Sequence, residues 1–381
     1  MRIAVLTLRL HSNYGGILQA YALMNILKQL GHEPYFVNNQ YFKKRGRFSL
    51  YFIYIRNAIQ KYLLGQNNIE IFQEKRYRKE YEIVCKNTRK FVEKNIYPLT
   101  DFICTERDWK QLQKRYKFDA YIVGSDQVWR PAYFKHIEYF FLSFLKSDVV
   151  KRIAYGASFG TQEWTFSEKQ TSLYGQLLKK FDAVSVREKS AINMCKQYFD
   201  VEAIQVLDPT MLLSKDDYKK LLPKDMKLRS DVDLLVYLLD VNDLKNKVVS
   251  WMEKQMNTKG VWVNNPKSEN KKLSYEDRIA PPIENWLSGF LSTRYVVTDS
   301  FHACVFSILF HIPFLVVGNS ARGLARFQSL LSLFGLEDRL LNENDPIPNY
   351  LMEDSIDWKL VDIRLQNMRD KSISFLEDLL K

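Results

Sequence analysis

Four cysteines among 381 residues, Cys85, Cys104, Cys195 and Cys304, are too few and too scattered for a disulfide framework, and none belongs to a CxxC pair. A zinc ribbon or a redox pair is therefore excluded, and reduced thiols packed in the interior are expected. Long hydrophobic runs are also missing: no uninterrupted apolar segment reaches the ~18 residues a membrane span needs. The opening MRIAVLTLRLHSNYGG alternates into polar residues too soon for a signal peptide, so a cytoplasmic protein is expected. Metal signatures are absent: there is no HExxH, no HxxxH with a carboxylate and no acidic cluster, so no metal and no cofactor are expected. The phosphate loops GxGxxG and GxxxxGK[ST] are lacking too. Basic residues are dispersed and no nucleic-acid motif occurs, which argues against DNA or RNA as a partner.

What is present is a globular composition, 46% hydrophobic and 26% charged, in a chain long enough for two domains. The formal charge of +12 favours anionic partners, such as phosphorylated small molecules or an acidic membrane surface.

Periodicity predicts α/β architecture. An apolar, β-prone run from Arg2 to Leu8 is followed by turn residues 13–16 and a helix-period stretch from Ile17 to Leu30. Further strands are predicted at 119–123, 152–159, 183–186 and 204–207. Each ends in small or polar residues: Gly124-Ser125-Asp126, Gly160, Arg187 and Asp208-Pro209-Thr210. A second series follows, with strands at 234–239, 261–263, 295–298 and 313–317. Two doubly wound Rossmann-like domains facing a cleft are expected, the GT-B arrangement, with ligands at strand C-termini. The expected boundaries are 1–215, with a helical insertion at about 43–117, then a charged linker at 211–230 and a second domain at 229–355. A final helix at 356–381 is expected to pack back on the first domain. Within the insertion, residues 48–64 are apolar and basic. They read either as a helix touching an anionic membrane or as a helix packed on the sheet, and the second reading is favoured because tyrosine-rich faces often pack on a core.

Three stretches carry candidate chemistry. In TDSFHACVF, Asp299 and Ser300 suit an N-cap, and His302 falls in the first turn of a helix, where unpaired N–H groups favour an anion. In GSDQVWRP, Ser125, Asp126 and Gln127 offer hydrogen bonds at a strand end, while Trp129 and Arg130 could stack on a sugar or pair with an anion. In NYGGILQAYAL, residues Asn13, Tyr14 and Gly15 form a turn before the first helix. Arg187, Arg322 and Arg326 stand at element ends and suit bidentate recognition of phosphate or carboxylate. Asn319 ends the strand at 313–317. The plain alternative for each is a cap, a core residue or a solvated charge.

Taken in order, NYGGILQAYAL, GSDQVWRP, VSVREKSA, LDPTMLL and TDSFHACVFSILFHIPFLVV resemble the polysaccharide pyruvyl transferase family over about residues 1–342. The resemblance implies a GT-B enzyme that transfers a pyruvate unit from phosphoenolpyruvate to a sugar, forming a ketal and releasing phosphate without a metal. It implies a sugar or lipid-linked glycan acceptor of a cell-wall or exopolysaccharide pathway, at the cytoplasmic face of the membrane. His302 matches the family's general-acid histidine. Arg187 matches an arginine near the donor, and Arg326 a basic position that holds the donor's anionic groups. The Arg-x-His pattern of relatives is here Ser300-Phe301-His302, with a hydroxyl where the guanidinium stands, so Ser300 falls at the donor and Arg294, Arg322 or Arg326 would substitute. Asn13, Tyr14, Gly15, Ser125, Asp126, Gln127, Trp129, Arg130, Asp299 and Asn319 are expected to line the acceptor side of the cleft. Two other readings stay open. One is a GT-B glycosyltransferase that uses a nucleotide sugar. The other is a non-catalytic, membrane-docking module of a polysaccharide-assembly complex.

Overall fold

The computed structural model describes residues 1–39, 47–65, 71, 73–134, 136–146, 149–226, 228, 232–268, 270, 272–318, 323–343, 345–347 and 356–381; at 47–50 and 73–78 it describes the backbone alone. The candidates Asn319 and Arg322 lie outside these residues.

The first half runs β1 (Arg2–Leu6), α1 (Tyr14–Gln29), β2 (Glu33–Phe36), then four helices in succession, α2 (Arg47–Tyr62), α3 (Gln73–Val84), α4 (Lys86–Asn95) and α5 (Glu106–Tyr116). It continues through β3 (Ala120–Val123), β4 (Lys151–Ala157), α6 (Glu168–Leu178), β5 (Ala183–Val186), α7 (Lys189–Met194) and β6 (Ile204–Gln205). After α8 (Lys215–Lys219) the second half runs β7 (Leu234–Tyr237), α9 (Asp243–Gln255), β8 (Gly260–Trp262), α10 (Ile283–Ser292) and β9 (Tyr295–Thr298). It closes with α11 (Phe301–Phe310), β10 (Phe314–Val317), α12 (Ala325–Phe334), β11 (Leu340–Leu341) and α13 (Trp358–Leu380).

Two parallel sheets result. Their orders are β2-β1-β3-β4-β5-β6 and β11-β10-β9-β7-β8. The strands read as unbroken apolar runs because helices cover both faces, so alternate side chains on either side are buried. In β3 and β9 every residue is buried. The chain is therefore two Rossmann-like domains, with helices α2–α5 inserted between β2 and β3 of the first.

The charged stretch expected as a linker is more structured than its composition suggests. Ser214 and Asp217 form a capping box for α8, and Tyr218 is wholly buried with its hydroxyl donating to the Thr210 carbonyl. The charges belong to the solvent face of a short helix that buries one large ring.

The halves are tightly joined. One apolar cluster runs from Ile3 and Ile17 through to Phe306 and Phe314. The Tyr14 hydroxyl donates to the Pro281 carbonyl at 2.8 Å, and Arg278 pairs with Glu80 of the insertion at 2.6 Å. On α12, the Ser329 hydroxyl accepts from the Lys189 backbone and the Gln205 amide, at 3.0 and 2.8 Å. Helix α13 bridges both halves. Its Ser372 hydroxyl accepts from Leu207 N–H and Arg369 donates to the Met211 carbonyl, while Asp362 meets His311 at 2.7 Å.

Candidate functional site

The parallel arrangement puts the C-terminal ends of β1, β3, β4, β5 and β6 along one edge. The residues just past them are Thr7, Ser125-Asp126, Ser158, Arg187-Glu188 and Asp208. Gly124 makes the turn at β3 possible. Its φ is +114°, and a Cβ there would come within 2.2 Å of the Tyr155 carbonyl oxygen. The backbone can then fold back so that Ser125 and Asp126 face their neighbours. Thr7 Oγ1 donates to the Ser125 carbonyl at 2.7 Å. The Gln19 side chain of α1 donates to Thr7 Oγ1 and accepts from Ser125 N–H. Ser125 Oγ donates to the Gly156 carbonyl at 3.0 Å.

Arg187 is the centre of this edge. Its Nη1 meets Asp208 Oδ2 at 2.7 Å and its Nη2 meets Asp126 Oδ1 at 3.0 Å, with all three side chains at most 5% exposed. Asp208 also accepts from the backbone and hydroxyl of Thr210, at 3.0 and 2.7 Å. Burial by itself would raise both carboxyls. For Asp208 it is overcome by His302, Arg187 and Thr210, and the carboxyl lies well below its ordinary range. For Asp126, Arg187, His302 and Arg326 outweigh burial in the same way. The Arg187 guanidinium is raised: burial opposes its charge, but Asp126, Asp208 and Glu188 more than offset that. Glu188 accepts from Ser158 Oγ at 2.8 Å and Phe159 N–H at 3.1 Å through Oε1, and its Oε2 has no partner.

The second domain brings α11 against this edge. Ser300 is its N-cap, with its hydroxyl accepting from Ala303 N–H at 3.5 Å, which puts Phe301 and His302 in the first turn. The Phe301 ring lies under two guanidiniums, Arg187 at 4.8 Å and Arg326 at 5.5 Å. Arg326, on α12, is pushed down to about 10, chiefly by burial and then by the charge of Arg187. The imidazole of His302 is 7% exposed. Its Nε2 stands 3.7 Å from Asp208 Oδ2, beyond hydrogen-bond range, and has no other partner. The ring packs on Gly15 in the first turn of α1, so closely that a Cβ on Gly15 would come within 2.1 Å of its Cγ and Nδ1. Two helix N-termini, one from each domain, thus meet at His302, and such ends favour negative charge. Arg187, Asp208, Phe301 and Arg326, with Leu330 and Leu333, line a small cavity at this seam.

Of the residues expected at a site, the structure brings together Gly15, Ser125, Asp126, Arg187, Ser300, His302 and Arg326. Gln127 and Arg130 sit beside them and bond to each other at 2.9 Å. Asn13 caps α1, and Tyr14 joins the domains with its ring stacked on Tyr237. Three do not reach the site. Trp129 is fully buried in an aromatic core against Phe141 and Phe159, and its Nε1 donates to the Phe140 carbonyl. Asp299 turns into its own domain, where its carboxylate accepts from Lys245 Nζ at 2.6 Å and from the N–H groups of Leu239 and Asp240. Arg294 is exposed near Asp233, just ahead of β9, and so lies at the far end of that strand. Sequence reading did not single out Asp208, Glu188, Gln19 or Phe301 as site residues, although it placed Asp208 at a strand end. Asp208 had a signal, a carboxylate immediately after a strand and before a proline. Gln19 had none, since it lies mid-helix.

A family model described as polysaccharide pyruvyl transferase matches residues 13–321. None of the curated proteins matches the chain. Among solved structures, it is similar to the UDP-GlcNAc 2-epimerase of Methanocaldococcus jannaschii, at 10% identity and a TM-score of 0.50, covering 97% of this chain and 93% of that one. The UDP-GlcNAc 2-epimerase of Neisseria meningitidis bound to UDP-GlcNAc gives 8% identity and a TM-score of 0.50, with 100% and 99% covered. At such identities the likeness concerns the fold, which is GT-B.

Proposed function

The chain belongs to the polysaccharide pyruvyl transferase family, and we propose that it forms a pyruvate ketal on a glycan precursor, with phosphoenolpyruvate as donor and phosphate as the released product. The observation that carries this reading is His302: a buried imidazole whose Nε2 has no partner, at a seam between two domains, facing the Asp208 carboxylate and next in sequence to Phe301, whose ring lies under Arg187 and Arg326.

The donor has a carboxylate, a phosphate and a nucleophilic C3. His302 delivers a proton to C3, which makes C2 electrophilic. A sugar hydroxyl adds to C2, the C2–O bond to phosphate breaks, and a second hydroxyl closes the ketal. Of the two hydroxyl protons released, one replaces that given up by His302 and the other leaves with phosphate. The Asp208 carboxylate faces the imidazole across 3.7 Å and supplies fixed negative charge beside it. Arg187 is a positioning residue in this scheme, because both of its Nη atoms already hold carboxylates. Arg326 and the N-termini of α1 and α11 then take the donor's negative charge. A nucleotide-sugar donor has less support, since Asp299, the carboxylate available for a ribose diol, is held by Lys245.

The test is phosphate release from phosphoenolpyruvate with a panel of glycan acceptors. His302→Gln should lower turnover by at least about a hundredfold, the usual scale for a general acid, with an unchanged melting profile. Turnover that survives this substitution removes the assignment.

A further inference from the structure

Helix α2 is turned inside out for a helix of a globular protein. Beside the exposed Arg56, the solvent side carries an apolar stripe: Tyr51 71%, Phe52 74%, Ile55 49%, Ile59 43%, Tyr62 74% and, one residue past the helix, Leu63 77% exposed. At 100° per residue these six fall within an arc of about 120°. The opposite face, with the buried Asn57, is the one turned inward. An amphipathic helix on a protein surface normally does the reverse, so an apolar stripe of this kind marks a surface that something else covers.

Charge identifies the cover. Residues 41–65 contain Lys43, Lys44, Arg45, Arg47, Arg56 and Lys61, and no Asp or Glu. Arg56 and Lys61 lie on the helix that carries the exposed stripe of Tyr, Phe, Ile and Leu, and the surrounding sequence adds only cations; this composition matches an anionic lipid interface, where rings and aliphatic groups enter the headgroup boundary and cations meet lipid phosphates. A protein partner would need matching acids, and a second copy of this chain offers the same cations. We infer that α2 docks the protein on the surface of an anionic bilayer, lying in the interface and not crossing it. No helix among the described residues is long and apolar enough to cross a membrane.

The placement gives docking a consequence. Asn39, ahead of α2, donates to the Thr7 carbonyl at 2.9 Å, and Thr7 hydrogen-bonds to Ser125 at the site. Eight residue steps separate Asn39 from Arg47, so α2 starts within about 28 Å of that sheet edge. A docked α2 would hold the cleft near the lipid surface, where an acceptor carried on a lipid would be found. That last step rests on the proposed transferase reading, whereas the docking does not.

The full-length protein is mixed with vesicles of neutral phosphatidylcholine, or of phosphatidylcholine with one quarter phosphatidylglycerol, and floated on a density gradient. Binding is expected only to the anionic vesicles. It should weaken about fivefold for each cation removed in Arg56→Gln and Lys61→Gln. Phe52→Asp with Leu63→Asp should abolish it without changing the melting profile, because both side chains are exposed. No binding to anionic vesicles overturns the inference, as does binding indifferent to the Asp pair. A dimer in light scattering that the Asp pair disperses also overturns it, in favour of self-association. Since flotation needs no turnover, an inactive protein that floats would overturn the transferase reading alone.

Discussion

Replacing Asp208 with Asn tests whether the buried ion cluster is what locks the strand ends together. Asparagine keeps the shape and can still accept the two hydrogen bonds from Thr210. It turns a neutral amide towards Arg187 Nη1, now 2.7 Å from a carboxylate oxygen, and leaves Arg187 with Asp126 as its remaining short ion pair. Breaking one half of a buried pair costs about 3–5 kcal/mol. The surviving partner puts the expected loss near the lower end, about 3 kcal/mol, on the order of 5 °C in melting temperature for a chain of this size. The pH dependence has a definite sign. The Asp208 carboxyl is lowered in the folded state, so its contribution is fully present above the unfolded carboxyl range and is lost as pH falls towards the folded value. Urea unfolding followed by tryptophan fluorescence at pH 7.5 and pH 3 should show the gap between wild type and Asp208→Asn narrowing by about 1 kcal/mol, because only the wild type loses this term in acid. A variant within about 1 kcal/mol of wild type at pH 7.5, or a gap that does not move with pH, would refute the reasoning.

Gly15→Ala should be tolerated by the α1 backbone, where alanine gains up to about 1 kcal/mol over glycine. Its Cβ must nevertheless displace the His302 ring, so phosphate release should fall by about a hundredfold while helicity by circular dichroism is kept. Arg326→Met should abolish the thermal shift produced by phosphoenolpyruvate. A full donor-induced shift would show that the charge of Arg326 is not what the donor meets. Asp299→Ala leaves Lys245 buried without its carboxylate and should cost about 3 kcal/mol or more by urea unfolding. Loss of activity with no loss of stability would mean that Asp299 works at the site after all.

The strands and helices were largely legible because buried parallel strands are unbroken apolar runs that stop at polar residues, as Tyr295–Thr298 does before Asp299. Local chemistry also announced Ser300 as the cap of α11, since a hydroxyl ahead of an apolar helix meets its first-turn N–H groups. Trp129 and Asp299 were less legible for a common reason. A strand end looks the same in sequence whether its side chain turns to the cleft or back into the domain. The face depends on what packs there, and for these two it is an aromatic core and Lys245.

By itself the sequence determined the α/β class, the order of the elements, the absence of any metal or disulfide motif, and that an arginine and a histidine stand at strand ends. Those properties are local or periodic, and a single chain segment carries them. Only the tertiary structure decided what these residues face. Arg187 and His302 are more than a hundred positions apart, on different domains, and each is neutral information until the sheets meet. Once they do, Arg187 is held between Asp126 and Asp208, and His302 rests on Gly15 with its Nε2 free at the seam. The energy of a buried charge depends on every neighbour within a few ångströms, and those neighbours come from five separate segments of the chain.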